Sequence, residues 1–285
     1  MKLVSILATA TLSVALVGVP SSTSVAQTPA VVPAAAAAAP KLASIWNFRD
    51  VAGDGLSLSN GATMMKGVVY RSGQLNGLSD ADKATLEGIG ITAILDLRSK
   101  TAASKTADPV VAGAPATVFD VFAGHNKSFK GKTAAGARAY MRSMNRQFVT
   151  DAKQRKNIAK VLTAITAATG PVLIHCAAGK DRTGWVSAVL QQIAGASRKT
   201  IVAEYVLSNT YRAALINKRV ASALKAHGRT AAAIVKEQEK LRPSYLEAGL
   251  DKVKSRYGSF RSYLTKGLGL STVTIATLRA KLRQA

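Results

Sequence analysis

Cysteine is nearly missing from this chain: Cys176 is the only one in 285 residues. An internal disulfide is thereby excluded, which leaves an intermolecular bridge, an inert buried thiol or a reactive nucleophile. Histidine is scarce as well. His125, His175 and His227 form no ligand spacing, so neither a metal nor another cofactor is expected. Acids number 15 against 39 lysines and arginines, for a formal charge of +24. Such a field attracts phosphate esters, acidic lipid surfaces, nucleic acid or anionic polymers without choosing among them, and it also serves plain solubility. Aromatics make up 5% of the chain and do not interleave with a compact basic motif, so dedicated nucleic-acid binding is not expected. Beyond Leu3 to Val19 no run is long and apolar enough to span a bilayer. At 48% hydrophobic residues, the composition excludes global disorder.

What is present begins with an export pattern. Lys2 supplies a positive start, Leu3 to Val19 an apolar stretch and Ser24-Val25-Ala26 a small-residue cleavage site. Residues 1–26 therefore read as a signal peptide cut after Ala26, giving a secreted protein. A retained membrane anchor is the alternative, disfavoured by Ser5, Thr9, Thr11, Ser13 and Pro20 within the run. Residues 27–41, rich in alanine and proline, read as a linker. Residues 42–285 are the expected folded domain.

Within that domain, Thr63 to Tyr70 is a β-rich run, and Ser79 caps a helix that ends at Gly88 and Gly90. Ile91 to Leu97 has the length and apolarity of a buried parallel strand, and Thr117 to Phe122 is another strand candidate. Lys132 to Thr150 and Asp151 to Ala168 read as helices, the second burying Ile158, Val161, Leu162 and Ile165 on one face. Pro171 launches the short strand Val172 to Ile174. After a glycine-containing loop, Thr183 opens a helix that Gly195 stops. From Arg198 onward the chain is helix-rich, broken at Arg242-Pro243-Ser244, Gly258-Ser259 and Gly269 to Thr272. Strands alternating with helices predict an α/β domain with a mainly parallel central sheet flanked by helices.

The cysteine lies in the loop between that last strand and its helix, in the run His175-Cys176-Ala177-Ala178-Gly179-Lys180-Asp181-Arg182-Thr183-Gly184. Backbone N–H groups of Ala177, Ala178, Gly179, Lys180, Asp181, Arg182 and Thr183 can turn inward on an anion, aided by the helix dipole. Small residues at 177 to 179 allow close approach, and the planar fork of Arg182 matches two phosphate oxygens. The same positive field favours thiolate over thiol at Cys176. A thiolate can attack phosphorus in line to give a phosphocysteine that water then hydrolyses. Thr183 is placed to hydrogen-bond the sulfur, and His175 to orient the loop.

The His-Cys-x5-Arg-Thr pattern resembles the active-site signature of the protein tyrosine phosphatases. More narrowly, the chain resembles the secreted bacterial tyrosine phosphatases of the mycobacterial PtpB type, whose loop also carries Lys-Asp before the arginine. Asn47-Phe48-Arg49-Asp50, Tyr70-Arg71-Ser72-Gly73, Leu95-Asp96-Leu97-Arg98 and Glu204-Tyr205-Val206-Leu207-Ser208-Asn209 extend the match. The resemblance implies a tyrosine-phosphatase-like fold and a metal-free, cysteine-dependent phosphatase acting on phosphotyrosine in proteins, with phosphoserine/threonine and phosphoinositides as further substrates. Lys180 beside Arg182 is shared with phosphoinositide phosphatases. No Trp-Pro-Asp tripeptide supplies the proton donor. Asp96, in the Asp-Leu-Arg motif at a strand end, and Asp181, inside the loop, stand as equal candidates. The surplus of helix in the C-terminal third is expected to cover the site as a lid.

Other readings compete. Arg98, Arg49, Asp50 and Arg71 suit structural pairing as well as ligand contact, and Tyr140 and Tyr205 suit the core or its rim. A phosphoinositide phosphatase and a non-catalytic phosphate-binding module remain the rivals. Sulfur transfer also uses a cysteine loop ahead of a helix, but an arginine five residues beyond the thiol and its neighbours fits phosphoryl transfer better.

Overall fold

Polar caps at the helix ends and apolar alternation in the strands build this fold, seen in a computed structural model that describes residue 1, residues 39–125 and residues 129–284. The expected signal peptide (except Met1) and all of the expected linker before residue 39 lie outside the described residues. The described residues from 39 onward form one compact unit.

The elements run β1 (Arg49–Asp50), β2 (Val69–Ser72), α1 (Asp80–Ile89), β3 (Ala93–Asp96), α2 (Lys100–Lys105), β4 (Ala116–Val118), α3 (Ala134–Thr150), α4 (Ala152–Ala167) and β5 (Val172–His175). Helices follow: α5 (Asp181–Ala194), α6 (Arg198–Val206), α7 (Ser208–Tyr211), α8 (Ala213–Glu239), α9 (Pro243–Tyr257) and α10 (Phe260–Ser262). A π-helical turn at Tyr263–Gly267 leads to α11 (Thr272–Lys281). The sheet order is β1-β2-β5-β3-β4, antiparallel between β1 and β2 and parallel elsewhere. The central strand is thus β5, and the cysteine loop leaves its C-terminal end, where α/β folds gather their sites.

Alternate residues of the strands feed two cores. Leu173 and Ile94 join Phe48, Tyr70 and Leu86 on the face carrying α1. Val172, Ile174 and Leu95 join the helices of the other face, where Trp185 is fully buried, stacked on Phe148 at 5.7 Å and edge-on to Tyr263 at 6.3 Å. Ser79 accepts from the Asp82 amide at the start of α1, and Gly90 closes it at φ 76°. Ile158, Val161, Leu162 and Ile165 of α4 are all buried.

Three expectations shift. The run from Thr63 enters the sheet only at Val69, because Gly67 at φ 77° turns the chain first. The strand from Thr117 stops at Val118, cut short before Asp120 and Ala123, which adopt left-handed φ values of 27° and 51°. Helix α5 begins at Asp181, two residues ahead of Thr183, so its first turn is part of the loop itself.

The largest departure is in α8. A continuous helix would hold residues 219 and 239 about 30 Å apart. Instead Arg219 and Glu239 form an ion pair at 2.6 Å, and Arg212 reaches the same carboxylate at 2.6 Å. Gly228, at φ 76° and ψ −176°, is the break. Thus α8 is a helical hairpin, with arms 213–227 and 229–239 and an exposed tip at 224–230.

Candidate active site

The loop from Cys176 to Thr183 joins the end of β5 to the first turn of α5. No side chain caps that helix N-terminus, so its first-turn amides are left for an anion. Cys176 is buried at 1% exposure. Burial pushes its thiol pKa up, and nearby Asp181 adds to that. The Arg182 guanidinium and hydrogen bonds from the Thr183 side chain and backbone outweigh them, holding the pKa below its ordinary value. Arg182 is aimed by two neighbours: it donates to the Leu97 carbonyl at 3.2 Å and lies 4.4 Å over the Phe122 ring. Its Nε, although buried, has no hydrogen-bond partner among the described residues.

Beneath the loop sits a charged floor. Gly179 has φ +64°, and a Cβ there would come within 2.3 Å of the Ser72 carbonyl oxygen, so only glycine fits. Its own carbonyl is drawn outward by Arg71 at 2.8 Å and by the Asn47 side-chain amide at 2.7 Å. Arg71 and Arg49 share Glu204, at 2.9 Å and 2.7 Å, and Arg49 also donates to Asn47 and Ser208. Burial drives Arg71 down to about 10, with Arg49 adding to the effect and Glu204 opposing it. Burial pushes Glu204 up, but the two arginines more than reverse that and its pKa is lowered. The motifs around Asn47, Arg71 and Glu204 therefore converge on one carbonyl of the phosphate loop.

A second cluster flanks the cysteine's strand. Arg98 donates through Nε to both Asp96 oxygens at 2.9 Å and through Nη2 to Asp96 at 2.8 Å and Asp108 at 2.7 Å. His175 Nε2 lies 3.0 Å from Asp108. Asp96, Asp108 and His175 bring their ligand atoms within 4.8 Å of one another, yet the Arg98 guanidinium already supplies the positive charge between the two acids. Asp96, one of the two acid candidates, is 1% exposed and wholly engaged by Arg98. With both oxygens bonded to Arg98, Asp96 has neither turned toward a leaving group.

Asp181 is placed differently. It stands in the loop, 3.4 Å from the Lys180 ammonium, with one buried oxygen that has no hydrogen-bond partner among the described residues. Tyr140 and Tyr205 lie nearby: burial raises both phenol pKa values, and the Asp181 charge raises them further. Lys180 is buried, and it donates to the backbone carbonyl of Gln238 near the end of α8. Here the C-terminal helices meet the loop. That end is clamped by Glu237, which accepts from Arg138, Arg242 and Tyr245.

A cavity of about 840 Å³ lies apart from the cysteine, lined by Phe48, Arg49, Asp50, Glu204 and Tyr211 among others. Burial raises Asp50 there to about 6, against hydrogen bonds from the Gly67 and Ala52 amides that lower it. Sequence reasoning missed Asp108, Phe122 and the Gln238 carbonyl. Asp108 lies in an irregular segment with no periodic signal, Phe122 falls past the end of the strand its run suggested, and a backbone acceptor leaves no signal.

Comparison with known proteins agrees with this geometry. The profile described as "Tyrosine phosphatase family" matches residues 40–284. The triple specificity protein phosphatase PtpB of Mycobacterium tuberculosis is 30% identical over 279 residues, spanning 85% of this chain and 98% of that protein. A tyrosine-protein phosphatase of Nostoc commune is 28% identical over 227 residues, spanning 75% of this chain and 74% of its own. Among solved structures, the Siw14 catalytic core covers 67% of this chain and 88% of its own, at TM-score 0.25 and 14% identity, and no argument rests on it. The extent of the family match and the PtpB identity establish that this chain belongs to the tyrosine phosphatase family.

Proposed function

We propose that this chain hydrolyses phosphate monoesters, phosphotyrosine in proteins first among them, through a phosphocysteine intermediate. One observation carries the reading: a thiol held below its ordinary pKa sits under an uncapped helix N-terminus, with Arg182 beside it. The Cys176 thiolate attacks phosphorus, an S–P bond forms and the ester P–O bond breaks. Asp181 donates its proton to the departing oxygen, a role supported by its unpartnered oxygen and by the commitment of Asp96 to Arg98. Water then attacks phosphorus, Asp181 takes its proton, and the S–P bond breaks to return thiolate and inorganic phosphate. The amides of Ala177 to Thr183 and the Arg182 fork hold the oxygens that gain charge. Asp96 keeps Arg98 in place against the cysteine's strand.

The test is phosphate release from phosphotyrosine, phosphoserine/threonine peptides and phosphoinositides. Cys176→Ser should abolish release on all of them while inorganic phosphate still binds. Asp181→Asn should lower kcat by about 10²-fold or more on substrates with poor leaving groups. Equal or greater loss from Asp96→Asn, with the melting temperature unchanged, would reverse the assignment of the acid. A phosphoinositide preference finds less support, because Lys180 is already engaged by Gln238 and Asp181.

We further propose export, on the pattern of residues 1–26, with a mature chain starting after Ala26; the mass of the secreted protein checks it. An acidic membrane surface is the anionic partner we propose for the +24 charge.

A further inference from the structure

The positive charge is not spread evenly. Between Glu204 and Glu237 the sequence has no acid, and α8 occupies most of that interval. The buried residues of the hairpin are Ile216 and Ala223 on the first arm and Ala232 and Glu237 on the second. The first arm exposes Ala214, Lys218, Ala221 and Lys225, at helical spacing opposite Ile216 and Ala223, and the second exposes Arg229, Ala233, Lys236 and, at its cap, Lys240, also at helical spacing. Alanine lies between Lys218 and Lys225 on the first arm and between Arg229 and Lys236 on the second. Lys218, Lys225, Arg229, Lys236 and Lys240 enter no ion pair among the described residues, whereas Arg212 and Arg219, on the inner side, are neutralised by Glu239. Leu224, 49% exposed, lies at the tip of the hairpin.

From this arrangement we propose that the α8 hairpin is the docking face for an anionic lipid bilayer, lying on it through its cationic stripes with Leu224 entering the headgroup region. Alanine between the cations keeps each stripe low enough for a helix to lie flat. Lysine and arginine stems carry charge to the phosphates, and an exposed leucine suits lipid rather than a soluble polyanion. The other end of the second arm supplies the Gln238 carbonyl held by Lys180, so docking brings the phosphate loop to the same surface. The proposal refines the anionic partner named above and depends on no step of catalysis.

The test uses Cys176→Ser protein, so that binding is read without turnover. Co-sedimentation is measured with vesicles of phosphatidylcholine alone and of phosphatidylcholine with about one third phosphatidylserine. The protein should sediment with the acidic vesicles only, and less so as salt rises. The pairs Lys218→Glu with Lys225→Glu and Arg229→Glu with Lys236→Glu should each weaken binding about tenfold or more. Reversal of two exposed lysines on α4, Lys153→Glu with Lys160→Glu, should leave it within about twofold. Circular dichroism checks that each variant is folded. Failure of the parent to bind acidic vesicles, full binding by the hairpin variants, or equal loss from the α4 pair would overturn the proposal. So would tighter binding to a duplex DNA fragment at the same salt, which would name nucleic acid as the occupant. Loss of vesicle binding with turnover intact in the wild-type background, or the reverse, separates this proposal from the catalytic one.

Discussion

The floor of the phosphate loop and the outer face of the α8 hairpin are both rich in arginine and lysine, yet they treat that charge in opposite ways. Under the loop, Arg49, Arg71 and Arg98 are buried and matched by Glu204, Asp96 and Asp108. On the hairpin, Lys218, Lys225, Arg229, Lys236 and Lys240 are exposed and enter no ion pair among the described residues. The lesson is that position, not charge, separates scaffold from ligand contact. A buried arginine with a carboxylate fixes a backbone carbonyl, as Arg71 does for Gly179, and so fixes where the loop amides point. An exposed, unpaired stripe fixes nothing within the chain and is left for an outside anion. Arg182 lies between these cases: buried, aimed by a carbonyl and an aromatic ring, and without a hydrogen-bond partner at Nε among the described residues.

Mutations can break this contrast, and the largest stability effect is expected in the floor. Glu204→Gln leaves two buried arginines without their counter-ion and should destabilise the fold by about 3–5 kcal/mol in chemical denaturation. A loss under about 1 kcal/mol would mean that water or another group compensates them. Next comes Gly179→Ala, which meets both a positive φ and the Ser72 carbonyl. A cost of about 1–3 kcal/mol is expected, together with weaker phosphate binding, since the loop must move to make room. Unchanged binding would show that the loop amides do not depend on this residue.

Smaller still is the effect of pH on the hairpin base. Hydrogen bonding from Arg242 is the first cause holding Glu237 down at about 2, with burial opposing it. A depressed carboxylate pKa stabilises the folded state fully above its unfolded value of 4.5, and that contribution fades as pH falls towards 2. Amide-exchange protection of residues 229–239 should therefore decline across that window before protection of β5 does. Simultaneous loss would tie the arm to global unfolding. Least of all, Lys218→Ala with Lys225→Ala should change stability by no more than about 0.5 kcal/mol. A larger loss would make these lysines part of the scaffold.

Much of this was legible in the sequence for a physical reason: the signals were local. Ser79 and Gly90 mark α1 by capping chemistry, the apolar spacing of α4 marks its buried face, and the run around Cys176 carries nucleophile, amides and arginine within ten positions. What stayed hidden depends on residues far apart. Glu204 meets Arg49 across 155 positions, and nothing near either residue announces the other. The fold-back of α8 rests on one glycine inside an alanine-rich helical pattern, where glycine is often tolerated without a break, and on a pairing of Arg219 with Glu239 that only the turn creates. Asp96 and Asp181 look alike as sequence, since each lies within two residues of an arginine. Their difference appears only once Arg98 is seen to take both oxygens of the first.

The claim beneath all of this is that Cys176 is held as a thiolate by Arg182 and Thr183 despite its burial. The most direct measurement is the ultraviolet thiolate absorbance of the protein against pH, with Cys176→Ser subtracted as the blank. Ionisation should occur below the ordinary thiol range of about 8–9 and move upward in Arg182→Ala. A titration at or above that range, or one indifferent to Arg182, would contradict the account.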